Sequence, residues 1–155
     1  MKGNQNIINH LNELLSLELT AIDVYFVHSR MYKDWGLTKL YQQFDHEKDD
    51  ENIHATKLIE RILLLEGTPI LSKRVPIEIA TDVKSMFSQG LDFELVVAKK
   101  LESGIQICEK EGDFVTREIL LTLLKETEED HINWLETNLE LMEKIGIQNY
   151  QQSQM

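Results

Sequence analysis

Six residues of this chain have the types and the spacing of ligands for a pair of metal ions. They form two similar sets, in each of which a single Glu is followed 33 or 34 residues later by Glu-x-x-His: Glu18, Glu51 and His54, then Glu94, Glu128 and His131. Residues three apart lie on the same face of an α-helix, so each Glu-x-x-His pair directs a carboxylate and an imidazole toward one point. One such pair is weak evidence, because Glu and His are often three residues apart on helix surfaces. The matched spacing of the two sets is what indicates a metal site.

The donor atoms of these side chains suit a dinuclear site. A Glu from each of two helices, with Glu-x-x-His from each of two others, is the ligand pattern of dinuclear carboxylate helix bundles. An unpaired ionised carboxylate is costly to bury, so four in one core require cations. Two divalent ions balance the four charges, and oxygen and nitrogen donors favour iron or manganese over zinc or copper(I). Glu51 and Glu128, the glutamates of the two pairs, are expected to bridge the ions, and the other four residues to bind one ion each.

The hydrophobic pattern predicts the four helices that must position these ligands. Apolar residues recur at alternating steps of three and four, and each candidate ligand falls within the apolar stripe of its helix. The predicted helices span residues 6–33, 38–66, 82–110 and 113–145, and residues 147–155 could form a short fifth helix. Residues 67–81 lack helical periodicity and are too many for a bundle turn. They predict a crossover that leaves helices two and three parallel, so the expected fold is an all-α, ferritin-like four-helix bundle.

Composition limits the classes of partner and the compartment. The chain has 155 residues and a formal net charge of -11, which disfavours nucleic acid and anionic membranes as partners because both are polyanions. Its length fits a single domain over residues 1–155, with no apolar run long enough for a membrane span and no secretory signal at its start. We therefore expect a cytoplasmic protein. The single cysteine, Cys108, excludes an intrachain disulfide and falls in an apolar stripe, which predicts a buried thiol.

Several further residues could act at or near the site. Tyr25 lies two turns after the first Glu of the site and could hydrogen-bond a site carboxylate, donate an electron or fill the core. His46 and Asp50 are one turn apart on the second helix, away from its apolar stripe, where they could bind a metal or form an exposed pair. His10 and His28 have no partner at ligand spacing and are predicted to lie at the surface.

Several short stretches resemble those of bacterioferritins and of the haem-free bacterial ferritins, and the resemblance extends from residue 1 to residue 150. The stretches are Tyr-Phe at 25–26, His-Ser-Arg-Met at 28–31, Trp-Gly-Leu at 35–37, Ile-Glu-Arg-Ile-Leu at 59–63, Leu-Glu-Gly at 65–67 and Asp-His-x-x-Trp-Leu-Glu at 130–136. The resemblance implies a hollow shell of twenty-four subunits that stores iron as a mineral. It also implies that the six ligands form a ferroxidase site for two iron ions with O2 or H2O2 as oxidant, and that His46 and Asp50 form an iron site on the inner surface. A ferredoxin-type reductase would release the iron.

One departure from the family pattern bears on haem. Bacterioferritins bind haem between two subunits through a Met that follows the bridging Glu of the second helix, and Asn52 occupies that position here. An amide is a poor replacement for a soft thioether, so haem is not expected in this chain alone. The substitution leaves open a subunit that co-assembles with a haem-bearing homologue. A further alternative is a non-storing di-iron peroxidase like the rubrerythrins, although the chain has no Cys-x-x-Cys for a rubredoxin-type iron site.

Overall fold

The computed structural model describes the whole chain, Met1 to Met155, and consists of helices and their connections. The helices are α1 (Gln5–Asp34), α2 (Thr38–Leu64), α3 (Val83–Glu111), α4 (Phe114–Glu126), a π-helical segment (Thr127–Ile132), α5 (Asn133–Ile145) and α6 (Ile147–Ser153). The backbone stays helical through both ends of the π segment, so α4, the π segment and α5 form one long fourth helix. The predicted all-α four-helix bundle with a short terminal helix is confirmed. None of its helices has the length and hydrophobicity needed to span a membrane.

Side-chain caps explain where three of the helices begin. Asn4 Oδ1 accepts hydrogen bonds from the first backbone N–H groups of α1, at 2.8 Å and 3.4 Å. Asp82 and Asp113 cap α3 and α4 in the same way, at 2.9 Å and 3.0 Å. Gly112 separates α3 from α4 in the left-handed conformation, with φ 74°, which favours glycine. Each cap contributes about 1 kcal/mol, and together they fix the helix boundaries that hold the buried side chains at their levels.

The connection between α2 and α3 is the predicted crossover, and it follows α1. Near the start of α1, the side chain of Asn12 donates to the carbonyl of Thr68 at 3.1 Å and accepts from the N–H of Ile70 at 2.9 Å. Two turns further on, Thr20 Oγ1 accepts from the N–H of Val75 at 3.0 Å. The crossover therefore runs along α1 toward its carboxyl end, and α3 starts at the same end of the bundle as α2.

Two apolar clusters fill the bundle, and the predicted ligands lie in the layer between them. On α1, Leu15 belongs to one cluster, Ala21 belongs to the other, and Glu18 lies between. On α2, Phe44 and Leu58 belong to opposite clusters in the same way. The two clusters exclude water from both sides of this layer, which raises the cost of leaving any charge there unpaired.

Candidate metal centre

Five of the six predicted ligands come together in the layer between the clusters. Glu18, Glu51, His54, Glu94 and His131 come from all four long helices, and each is at most 3% exposed. They form two groups of three, one with Glu18, Glu51 and His54 and the other with Glu51, Glu94 and His131. Within each group the ligand atoms lie within 4.8 Å of one another. Each group can hold one metal ion, and Glu51 belongs to both.

The two oxygens of Glu51 face different histidines. Its Oε2 lies 3.4 Å from His54 Nδ1, and its Oε1 lies 2.8 Å from His131 Nδ1. The two imidazole rings are stacked, with centroids 5.7 Å apart and an angle of 17° between their planes. A carboxylate with one oxygen toward each nitrogen is placed to bridge two ions, as the sequence predicts for Glu51.

The prediction that Glu128 points into the bundle is wrong, because its side chain is exposed. The cause is the π segment, in which hydrogen bonds run from residue i to i+5 and each turn is wider than in an α-helix. A Glu three residues before His131 would lie on the same face of the helix as His131 only if the helix had the roughly 3.6 residues per turn of an α-helix throughout. The carboxylate that reaches the centre is Glu126, five residues before His131, whose Oε2 lies 2.7 Å from His54 Nε2.

Both histidines present Nδ1 to the centre and Nε2 to an outer carboxylate. His54 Nε2 contacts Glu126, and His131 Nε2 lies 3.2 Å from Glu47 Oε2. Metal-binding histidines commonly donate their second N–H to a carboxylate, which fixes the tautomer and the ring orientation. Neither Glu47 nor Glu126 was among the candidate site residues predicted from the sequence.

Without metal, protons take the place of cations in the layer. Burial lowers the pKa of both histidines, but adjacent carboxylates outweigh it: Glu18 and Glu51 raise the pKa of His54 to about 11. Glu51 and Glu94 raise that of His131 to about 12 in the same way. Burial and the charge of Glu51 raise the pKa of Glu18 well above its usual range, and neither oxygen of Glu18 has a hydrogen-bond partner. A buried carboxyl group without partners fits a ligand that awaits a metal ion.

The remaining predicted site residues lie around this centre. Tyr25 is buried and its hydroxyl donates a hydrogen bond to Glu94 Oε1 at 2.5 Å, which matches one of the roles considered for it. His46 Nε2 lies 3.4 Å from Asp50 Oδ2 at the surface, where the His46 side chain is 66% exposed. Asn52 is exposed on α2, next to the shared Glu51.

A small cavity connects the centre to the surface between α2 and the π segment. Its volume is about 180 Å³, and it is lined by Asp50, Ile53, His54, Glu126, Asp130 and His131. Five of these six residues carry acidic or imidazole side chains that attract cations. The cavity therefore offers metal ions a short path to the outer side of both histidines.

Comparisons with known proteins identify the family of the chain. The ferritin-like domain family matches residues 8–145. A bacterial ferritin of Synechocystis is 52% identical over all 155 residues of the chain and 99% of its own length. A bacterial ferritin of Neisseria meningitidis serogroup B is 48% identical over the full length of both chains, and a bacterioferritin of Brucella melitensis is 40% identical over 98% of this chain and 94% of its own. Because the family match covers most of the chain and these relatives match it from end to end, the chain belongs to the ferritin family.

Proposed function

We propose that this protein is an iron-storage ferroxidase, which oxidises Fe2+ at the dinuclear centre and stores the product as a mineral inside a hollow shell of subunits. The observation that carries the proposal is the pair of three-residue ligand groups that share Glu51 in a buried layer. The relatives named bacterial ferritin support iron storage as the biological role.

The centre suits iron as the substrate because of its donor atoms and its charge. Each ion would have two carboxylates and one imidazole nitrogen, a mixed oxygen and nitrogen set that favours iron or manganese. Glu18 and His54 would bind one ion, Glu94 and His131 the other, and Glu51 both. Tyr25 holds the carboxylate of Glu94 in place, because its hydroxyl donates to one of the two oxygens of that group.

We assign the supporting carboxylate of the fourth helix to Glu126 and not to Glu128. Glu126 is half-buried and in contact with His54, whereas Glu128 is exposed. A charge-assisted hydrogen bond from His54 Nε2 to Glu126 keeps Nδ1 free for the metal ion. Glu128 has no such contact with either histidine of the centre.

Two ferrous ions held side by side supply the two electrons that one oxidant needs. With peroxide, two Fe2+, one H2O2 and two protons give two Fe3+ and two waters. With dioxygen, two Fe2+, one O2 and two protons give two Fe3+ and one H2O2. The protein holds both ions beside one oxidant in a layer from which the two apolar clusters exclude bulk water, so the rate gain comes from proximity and orientation.

A shell of twenty-four subunits is the assembly we propose, built from this chain alone or together with a haem-bearing homologue. Several large apolar side chains are exposed on the isolated chain, including Phe26 at 47%, Ile53 at 51% and Phe114 at 68%. Apolar side chains exposed in several places are suited to contacts between subunits. We propose that Asn52 keeps haem out of a shell made of this chain alone, and that a ferredoxin-type reductase supplies electrons for iron release.

Anaerobic titration with Fe2+, followed by addition of O2 or H2O2, tests the proposal. We expect a break at two Fe2+ per chain and fast oxidation, and a Glu18→Ala variant should lose the fast phase while the shell still assembles, because one fewer buried carboxylate relieves charge crowding. Fast oxidation at the wild-type rate in this variant would refute the assigned centre. Measurement of particle mass separates a shell from a dimeric peroxidase, and a dimer would refute storage.

A further inference from the structure

Glu47 is a buried carboxylate of α2 that lies outside the two ligand groups of the dinuclear centre. The residue is 7% exposed, and its side chain accepts a hydrogen bond from Gln43 Nε2 at 2.8 Å and pairs with no lysine or arginine. A buried carboxylate with so few partners is stabilised by a bound cation.

Two further ligand atoms lie beside Glu47. Glu47, Asp50 and His131 offer atoms within 4.8 Å of one another, and two of the three residues are buried. The group combines two carboxylates with an imidazole from a different helix, which is a mixed oxygen and nitrogen donor set for a divalent ion. Asp50 also lines the cavity that opens to the surface and lies 3.4 Å from the exposed His46. The group is therefore located between the dinuclear centre and the surface.

His131 belongs both to this group and to the dinuclear centre, with a different nitrogen for each. Its Nδ1 lies 2.8 Å from Glu51, and its Nε2 lies 3.2 Å from Glu47. A neutral imidazole carries a proton on one nitrogen and a lone pair on the other, so the ring can bind an ion on only one side at a time. An ion that leaves the Nδ1 side therefore frees the ring to bind an ion on its outer side, through Nε2.

We propose that Glu47, Asp50 and His131 Nε2 form a third position for divalent iron, a transfer position between the dinuclear centre and the surface pair His46 and Asp50. Asp50 is shared with the surface pair and His131 with the dinuclear centre, so an ion can exchange one ligand at a time along the path. The inference rests on the proposed function, because it assigns the position to iron that passes to or from that centre.

Zinc-soaked crystals test the position directly, since Zn2+ takes the same donor atoms and is not oxidised. The Glu94→Ala variant loses a ligand of the second dinuclear position and frees His131 to bind on its outer side. In this variant we expect an anomalous peak at the zinc edge about 2.0–2.2 Å from His131 Nε2 and from oxygens of Glu47 and Asp50. The peak should disappear when Glu47→Gln is added and should persist when His46→Ala is added instead.

The possible results separate this inference from the proposed function. Absence of the peak in Glu94→Ala would overturn the transfer position, as would a peak that persists after Glu47→Gln. The second result would mean that the ion is held by Asp50 without Glu47, and that Glu47 acts only on the orientation of His131. Wild-type crystals soaked in the same way test the proposed function separately, through two peaks on either side of Glu51.

Discussion

Binding of two divalent ions should displace about three protons from the dinuclear centre. In the metal-free protein at neutral pH, His54 and His131 are imidazolium groups, because their pKa values are raised to about 11 and about 12. The raised pKa of Glu18 favours its neutral form as a third bound proton. A metal ion requires the lone pair of each imidazole and the charge of each carboxylate, so all three protons must leave. The product of the two binding constants should then rise by about three decades per pH unit near neutrality.

Calorimetric titration of the metal-free protein with Zn2+ measures this proton release. The observed enthalpy is compared between buffers of different ionisation enthalpy, and the slope gives the number of protons released. Glu51→Gln is the matched control, because it removes the ligand that both ions share and should abolish the release assigned to the pair. Release of one proton or fewer by the wild-type protein would show that the histidines are neutral before metal binds, and the charge balance inferred for the empty centre would then be wrong.

Three other predictions address the same centre. The metal-free protein should lose stability as the pH rises above about 6.5, because folding raises the pKa of His54 and of His131, and such groups stabilise the fold fully only below their unfolded pKa. Thermal unfolding between pH 6 and 10 should show this decline. Replacement of both histidines by Gln should flatten it. Glu126→Gln should weaken metal binding by about 10–100-fold, because it removes the carboxylate that orients His54. The matched control Glu128→Gln should bind Fe2+ and oxidise it like the wild type. A large loss in Glu128→Gln and none in Glu126→Gln would instead support the ligand role predicted for Glu128 from the sequence. The protein purified alone should lack a strong haem absorbance, and Asn52→Met should permit about one haem per two chains if the rest of the interface pocket is intact.

The fold could be predicted from the sequence because several signals agreed. The apolar stripes predict helices whose observed ends lie within two residues of the predicted ones, and the caps and Gly112 found in the structure lie at the same boundaries. Five ligands were also correctly placed in the core, since a Glu or His in an apolar stripe of an α-helix has only one direction to point. That reasoning depends on the helical phase, which holds throughout α1, α2 and α3.

Other side chains could not be placed from sequence alone. His10 and His28 were predicted at the surface, but both are buried because α1 contacts both α2 and α3 and so buries more than one stripe. His10 Nε2 lies 2.8 Å from the carbonyl oxygen of Lys100, beside Gly104, whose missing side chain leaves room for the ring. His28 lies among aromatic rings and neither of its nitrogens has a hydrogen-bond partner. Contacts of this kind depend on the neighbouring helix, which local periodicity does not reveal.

The fourth helix shows why the acidic residues before His131 could not be ranked by spacing. The run from Glu126 to Asp130 contains four acidic residues, and an α-helical phase selects Glu128. One π-helical segment is enough to change which of them reaches the centre. A wider turn cannot be recognised from residue types here, since the same run would be compatible with either phase.

Glu126 and Glu47 face the outer Nε2 atoms of His54 and His131, and their charges help the buried layer to accept both Fe2+ and Fe3+. With Glu18, Glu51 and Glu94, these two bring the carboxylates around the centre to five. With Glu47 ionised, two imidazolium groups and one carboxyl proton leave the metal-free layer near a net charge of -2. Two ferrous ions and neutral imidazoles give -1, and two ferric ions give +1. The net charge therefore stays between about -2 and +1, a much smaller imbalance than five unpaired carboxylates would carry, and this limits the desolvation cost of each state. A centre that binds Fe2+, oxidises it and passes it on needs this tolerance, because it must be stable in all three states in turn.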